Sequence, residues 1–112
     1  MTFDDVRALA LALPAAEEGS HYGTPAFKVN GKAFCRLRED GETLVLFEVP
    51  IEEREVMVEA EPEVYFFTDH YRDWPAVLVR LPNAGPDHVR GYLHRAWRKR
   101  APKRVLKAAG LA

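Results

Sequence analysis

The sequence predicts a single α+β domain spanning residues 1–112. One antiparallel sheet of about five strands is flanked by an N-terminal helix and a long C-terminal helix. Three observations carry this. Asn30-Gly31 and Asp40-Gly41, the dipeptides best suited to tight hairpin turns, sit between runs of β-branched and aromatic residues and mark a central three-strand meander over 26–48. Apolar residues recur at helical spacing at both ends of the chain. A length of 112 residues suffices to bury one core without disulfide or metal staples.

The first helix opens at Thr2, a capping residue followed by Asp4 and Asp5, whose charge suits the positive end of a helix dipole. Phe3, Val6, Leu9, Ala10 and Leu13 share one face, and Pro14 stops the helix. Residues 14–25, with Gly19, Gly23 and two prolines, read as a loop.

The meander follows. With two-residue loops at both turns, Val29 faces Lys32, Phe27 faces Phe34 and Ala26 faces Cys35. Across the second turn Arg38 faces Thr43, Leu37 faces Leu44 and Phe34 faces Phe47. Alternation then puts Phe27, Val29, Phe34, Arg36, Val45 and Phe47 on one face. Ala26, Ala33, Cys35, Leu37, Leu44 and Leu46 fall on the other. Both faces are largely apolar, so both are expected to be covered.

Pro50 and the acids Glu52, Glu53 and Glu55 start a helix over Ile51–Ala60, whose apolar periodicity is weak, and Glu61-Pro62 ends it. Two short strands, 64–67 and 76–81, bracket the loop TDHYRDWP, which is dense in charge and aromatic rings. Pro86 opens a helix to about Arg100 with Val89, Tyr92, Leu93, Ala96 and Trp97 as its apolar face. Ala101-Pro102 breaks it, and a short last helix ends at Gly110.

Composition narrows function mainly by exclusion. No apolar run is long enough to span a membrane, the acidic N-terminus is unlike an export signal, and cytoplasmic residence is expected. The lone cysteine, Cys35, lies mid-strand and reads as a small buried apolar residue. Ser20-His21 is a neighbour pair without a nucleophile elbow, no glycine-rich phosphate loop is present, and the histidines lack metal-ligand spacing. No catalytic constellation, metal or cofactor is expected, and a monomer is the simplest assembly. Charge is uneven: residues 1–63 carry 6 basic and 14 acidic side chains, residues 64–112 carry 10 basic and 3 acidic. A basic terminal segment of this kind can meet an anionic partner or line a solvated helix face.

Leu13-Pro14 with Glu17-Glu18, the run Tyr22 to Phe27, Gly31-Lys32, Phe34, Glu61 to Phe66, Thr68, His70-Tyr71, Pro75, Ala96-Trp97 and Ala101-Pro102-Lys103 follow one another in an order that resembles the MmcQ/YjbR-like family of small bacterial proteins. The resemblance implies a sheet flanked by helices, similar to the double-wing DNA-binding domain of a phage transcription factor of the MotA type. It brings no catalytic residues.

Two functions follow as expectations. In one, the hairpins act as wings on double-stranded DNA, bound weakly and electrostatically through Lys28, Lys32, Arg36 and Arg38, with Arg95, Arg98, Lys99, Lys103 and Arg104 adding to the patch. Glu39, Asp40 and Glu42 at the second hairpin oppose this. In the other, His21, Tyr22, His70, Tyr71 and Trp74 line a pocket for a small molecule or protein, which requires the 20–25 and 68–75 loops to meet.

Overall fold

Thr2 and Asp5 cap the first helix reciprocally. The Asp5 N–H donates to Thr2 Oγ1 at 3.3 Å and the Thr2 N–H to the Asp5 carboxylate at 2.8 Å, satisfying two backbone donors that a helix start leaves free. This helix, α1 (Phe3–Leu11), buries Val6 and Ala10. The computed structural model describes residues 1–111. After α1 come β1 (Ala16–His21), β2 (Thr24–Val29), β3 (Lys32–Leu37), β4 (Thr43–Phe47), α2 (Ile51–Ala60), β5 (Tyr65–Phe66), β6 (Ala76–Arg80), α3 (Pro86–Arg100) and α4 (Lys103–Ala108). Among the described residues no helix is long and apolar enough to cross a membrane.

The sheet has six strands in the order β1-β2-β3-β4-β6-β5, all neighbours antiparallel. The extra strand is β1, within the segment expected to be a loop. It lies at the sheet edge, pairs with β2 alone and leaves Glu17 to Ser20 exposed. An edge strand wet on most of its surface has no apolar alternation to betray it.

The first meander turn forms as expected: Val29 faces Lys32, and Asn30 and Gly31 both have positive φ. The second keeps its register, Leu37 opposite Leu44, but opens to four residues, 39–42. There the Asp40 carboxylate accepts from the Glu42 and Thr43 N–H groups and from Thr43 Oγ1.

Between the turns the expected register fails. Lys28 faces Ala33, but Phe27 faces Cys35 and Ala26 faces Arg36, so Phe34 is the extra residue of a bulge. A one-residue slip exchanges faces. Phe27 and Val29 therefore join Cys35, Leu37, Leu44 and Leu46 under the helices, while Ala26 moves to the face of Arg36.

The helix-covered face holds the main core. α3 buries Val89, Leu93, Ala96 and Trp97, and the Trp97 indole N–H donates to the Pro14 carbonyl at 2.9 Å. Each large side chain fully withdrawn from water here contributes about 1.5–3 kcal/mol. The opposite face carries a smaller cluster, Val45, Ala76 and Leu78 with Phe47 and Phe66 packed against it. Tyr71, from the segment between β5 and β6, completes that cluster.

Candidate functional site

The β1–β2 hairpin turns on Tyr22-Gly23, since His21 pairs with Thr24. Both turn residues have positive φ, 53° and 79°. Glycine takes this conformation freely; a tyrosine does so against the clash of its Cβ. The turn leaves Tyr22 84% exposed, with the His21 ring edge-on to it at 4.4 Å and to Phe47 at 5.8 Å.

The facing wall is the segment after β5. A 3₁₀ turn, Asp69–Tyr71, sets His70 edge-on to Tyr71 at 4.8 Å, and Trp74 follows, 64% exposed. A buried arginine fixes this wall from behind. Arg54 of α2, 2% exposed, donates to the carbonyls of Tyr71, Trp74 and Ala76 through Nη1 and to that of Arg72 through Nη2, at 2.7–3.0 Å. Its guanidinium lies 4.1 Å from the centre of the Phe67 ring. Beyond the backbone bonds of its own turns, this segment finds further partners in one cation.

Arg36 joins the two walls. Its side chain is buried; Nη1 donates to Thr24 Oγ1 at 3.1 Å, and Nε and Nη2 donate to the Tyr71 hydroxyl at 3.4 and 3.1 Å. Thr24 in turn donates to the His21 carbonyl at 3.0 Å. One guanidinium therefore ties the hairpin end to the 68–75 segment. The expectation that Arg36 contacts phosphate from an exposed wing is corrected by this burial: the bulge and the strand's alternation turn it under Tyr71.

All five residues expected in a pocket, His21, Tyr22, His70, Tyr71 and Trp74, line one open cleft of about 470 Å³. Phe47, Glu48, Pro75, Ala76 and Arg100 complete it. Arg100, at the end of α3, donates from Nε to Glu48 at 2.9 Å and from Nη1 to the Ala33 carbonyl at 2.9 Å. Glu48 has φ 62°, so two of the four non-glycine residues with positive φ among the described residues, Tyr22 and Glu48, belong to this cleft. Such conformations concentrate where surrounding structure holds a site in shape. Burial, then the charges of Arg36, Lys28 and Arg100, hold the His21 imidazole below its usual pKa, and therefore neutral at pH 7.

The other basic candidates are dispersed. Lys28 is half-buried beside Gly19, and Arg38 is half-buried next to the acidic second turn. Arg95 pairs with Glu53 at 2.9 Å, and Arg98 donates to the Leu111 carbonyl at 3.3 Å. Arg104 donates to Asn30 Oδ1 at 2.8 Å, bringing α4 to the first hairpin tip, where Lys32 and Lys103 are also exposed; Lys99 is exposed on α3. Cys35 is fully buried and its thiol is pushed up to about 12, which leaves no reactive thiolate. Among the described residues no group of three or more His, Cys, Asp or Glu side chains forms a metal-binding set.

Sequence reasoning missed Arg54, Phe47, Glu48 and Arg100. For Arg54 a signal existed. The weak periodicity of α2 arises because its inward positions include Arg54 and Met57 (i, i+3), a cation standing where an apolar residue belongs.

Comparison with known proteins agrees with this fold. A family model described as YjbR matches residues 11–99. The uncharacterized proteins Mb2600 of Mycobacterium bovis and Rv2570 of Mycobacterium tuberculosis are each 29% identical over 121 residues, covering 96% of this chain and 94% of the relative. The crystal structure of Deinococcus radiodurans protein DR2400, with a DUF419 domain, superposes with a TM-score of 0.77 at 23% identity, covering 99% of this chain and 89% of that one. At that identity the likeness concerns the fold alone.

Proposed function

The chain belongs to the YjbR family, and within it we propose a small-molecule-binding protein whose cleft takes a flat ring between Tyr22 and Trp74. One observation carries this reading. The two most exposed large aromatic side chains, 84% and 64%, stand on the rim of the same cleft, one of them in a strained turn. Solitary exposed apolar residues need no explanation, but two rings converging on one concavity do. A cleft of about 470 Å³ falls within the size range of small-ligand sites, and its mixture of rings with a few fixed donors is the usual means of orienting such a ligand. Arg36 and Arg54 hold the walls before any ligand arrives, so binding need not order them.

A screen of flat aromatic fragments against the isotopically labelled chain, read by NMR, tests this. Shifts should concentrate on Tyr22, His70 and Trp74, and Trp74→Ala should weaken the best fragment about three- to tenfold, as loss of a stacking partner does. Shifts scattered over the surface, or affinity untouched by the substitution, would overturn the reading.

A second reading is weak electrostatic binding of double-stranded DNA. It is favoured by the Arg104–Asn30 bond, which gathers Lys32, Lys103 and Arg104 at the first hairpin. It is weakened by the engagement of Arg36, Arg95 and Arg98 within the protein and by the acids of the second hairpin. Anisotropy of a labelled duplex tests it.

A further inference from the structure

We propose that the cleft selects a singly charged anion: a flat ring bearing one acid group, the ring lying against Tyr22 and Trp74 and the acid drawn to the Tyr71–Arg36 pair. This rests on the cleft being a ligand site and adds the charge of what it takes.

Four cations lie in or near the walls of the cleft, and they differ in what surrounds them. Arg100 already meets Glu48 at 2.9 Å. Lys28 is half-buried on β2, opposite Glu17 in the ladder but not in an ion pair with it, and it does not line the cleft. Arg54 has no carboxylate partner either, but it lies behind the wall, bonded through Nη1 and Nη2 to backbone carbonyls and to no side chain of the lining. Arg36 is different. It is buried, its close partners are the neutral hydroxyls of Tyr71 and Thr24, and its nearest carboxylate, Glu39, stands 3.8 Å away on a side chain 71% exposed to water. A carboxylate so well solvated compensates a buried charge poorly. Arg36 is the one of these cations that pairs weakly with a carboxylate and also bonds a side chain of the lining, so one negative charge suits the site and a dianion would exceed it.

Tyr71 supplies the contact. Its hydroxyl oxygen accepts from two nitrogens of Arg36, while its own proton has no acceptor among the described residues. An O–H whose oxygen is held by a cation is polarised as a donor, and a charged acceptor gains most from it. His21 reports the same field. Packed between Tyr22 and Phe47, it is disfavoured as a cation by its burial and by Arg36, Lys28 and Arg100, despite Glu48 lining the same cleft.

The test is a charge series on one ring: 1-naphthoate, the neutral 1-naphthamide and the doubly charged 1-naphthyl phosphate, each titrated into the full chain at pH 7 and followed by NMR. We expect naphthoate to bind about tenfold more tightly than the amide, the increment of one charge-assisted hydrogen bond. Bound naphthoate should raise the His21 pKa, and bound amide should leave it unmoved. Equal or tighter binding of the amide overturns anion selectivity and leaves the aromatic cleft standing. Tighter binding of the phosphate overturns the single charge. No shift at Tyr22, His70 or Trp74 with any of the three at millimolar concentration overturns the cleft reading itself. Because the comparison is made on the unaltered protein, it does not depend on an Arg36 variant folding.

Discussion

Tyr22 gives up stability for its position. A left-handed conformation disfavours a residue with a Cβ by about 1–2 kcal/mol, and asparagine tolerates it better because its side chain bonds locally. Against this stands the edge contact with His21, about 0.5 kcal/mol on so exposed a ring. The balance favours asparagine, so Tyr22→Asn should raise stability by about 0.5 kcal/mol in urea denaturation while weakening fragment binding severalfold. A turn residue kept only for folding would change both in the same direction. Phe34 is the opposite case, a bulge residue with no exposed surface that packs in the main core. Phe34→Ala should cost about 3–5 kcal/mol as a large cavity-forming truncation. A loss below about 1 kcal/mol would mean that the bulge collapses to the regular register.

Among the elements, α2 does what its sequence disguises. Its residues Glu52, Glu53, Glu55 and Glu59 describe a solvated helix, yet it carries the side chain that organises the cleft wall. Arg54→Met keeps the length and removes the donors, so that four carbonyls lose a bond and those of Tyr71 and Trp74 keep only a backbone N–H. Stability should fall by about 3 kcal/mol or more, and trypsin should cut faster at the exposed Arg72 within the released segment. Cleavage there at the unaltered rate would show that the wall holds without its cation. The same element marks the limit of what the sequence discloses. Helix α1, the span of α2, helix α3 and the Asn30-Gly31 turn were legible because local signals fix them: caps, prolines, periodicity and a turn dipeptide. The pocket residues were legible as a list because aromatic and histidine residues cluster in two loops. That the loops meet was not, since it depends on Arg36 pointing inward, and its direction depends on a bulge at Phe34 that no turn residue announces. Strand β1 escaped for a related reason: Tyr22-Gly23 is a hairpin turn with tyrosine in the place where asparagine would have signalled one.

Across the whole molecule the charge asymmetry of the sequence shrinks when the chain folds. Arg95 and Arg100 from the basic half close on Glu53 and Glu48 from the acidic half, so two of the ten basic side chains after residue 63 are neutralised across the fold. The basic side chains that the fold gathers in one place are those at the first hairpin tip, Lys32, Lys103 and Arg104, the last held there by a neutral partner, while Lys99 and Lys107 stay exposed elsewhere. Three charges set the scale of the outcome. Non-specific duplex binding at physiological salt spans about 10⁻⁴ to 10⁻⁶ M, and so small a patch on a chain of net charge −1 belongs at the weak end. The slope of log K against log salt should be about −3, close to one unit per neutralised phosphate. Replacing Lys32, Lys103 and Arg104 together by glutamine should abolish binding measured by duplex anisotropy at about 50 mM salt, while leaving fragment binding in the cleft unchanged. If the triple variant binds DNA as well as the original chain, the contact is not this tip. If a duplex instead competes with 1-naphthoate, the cleft and the polyanion share one site, and the two readings of this fold become one.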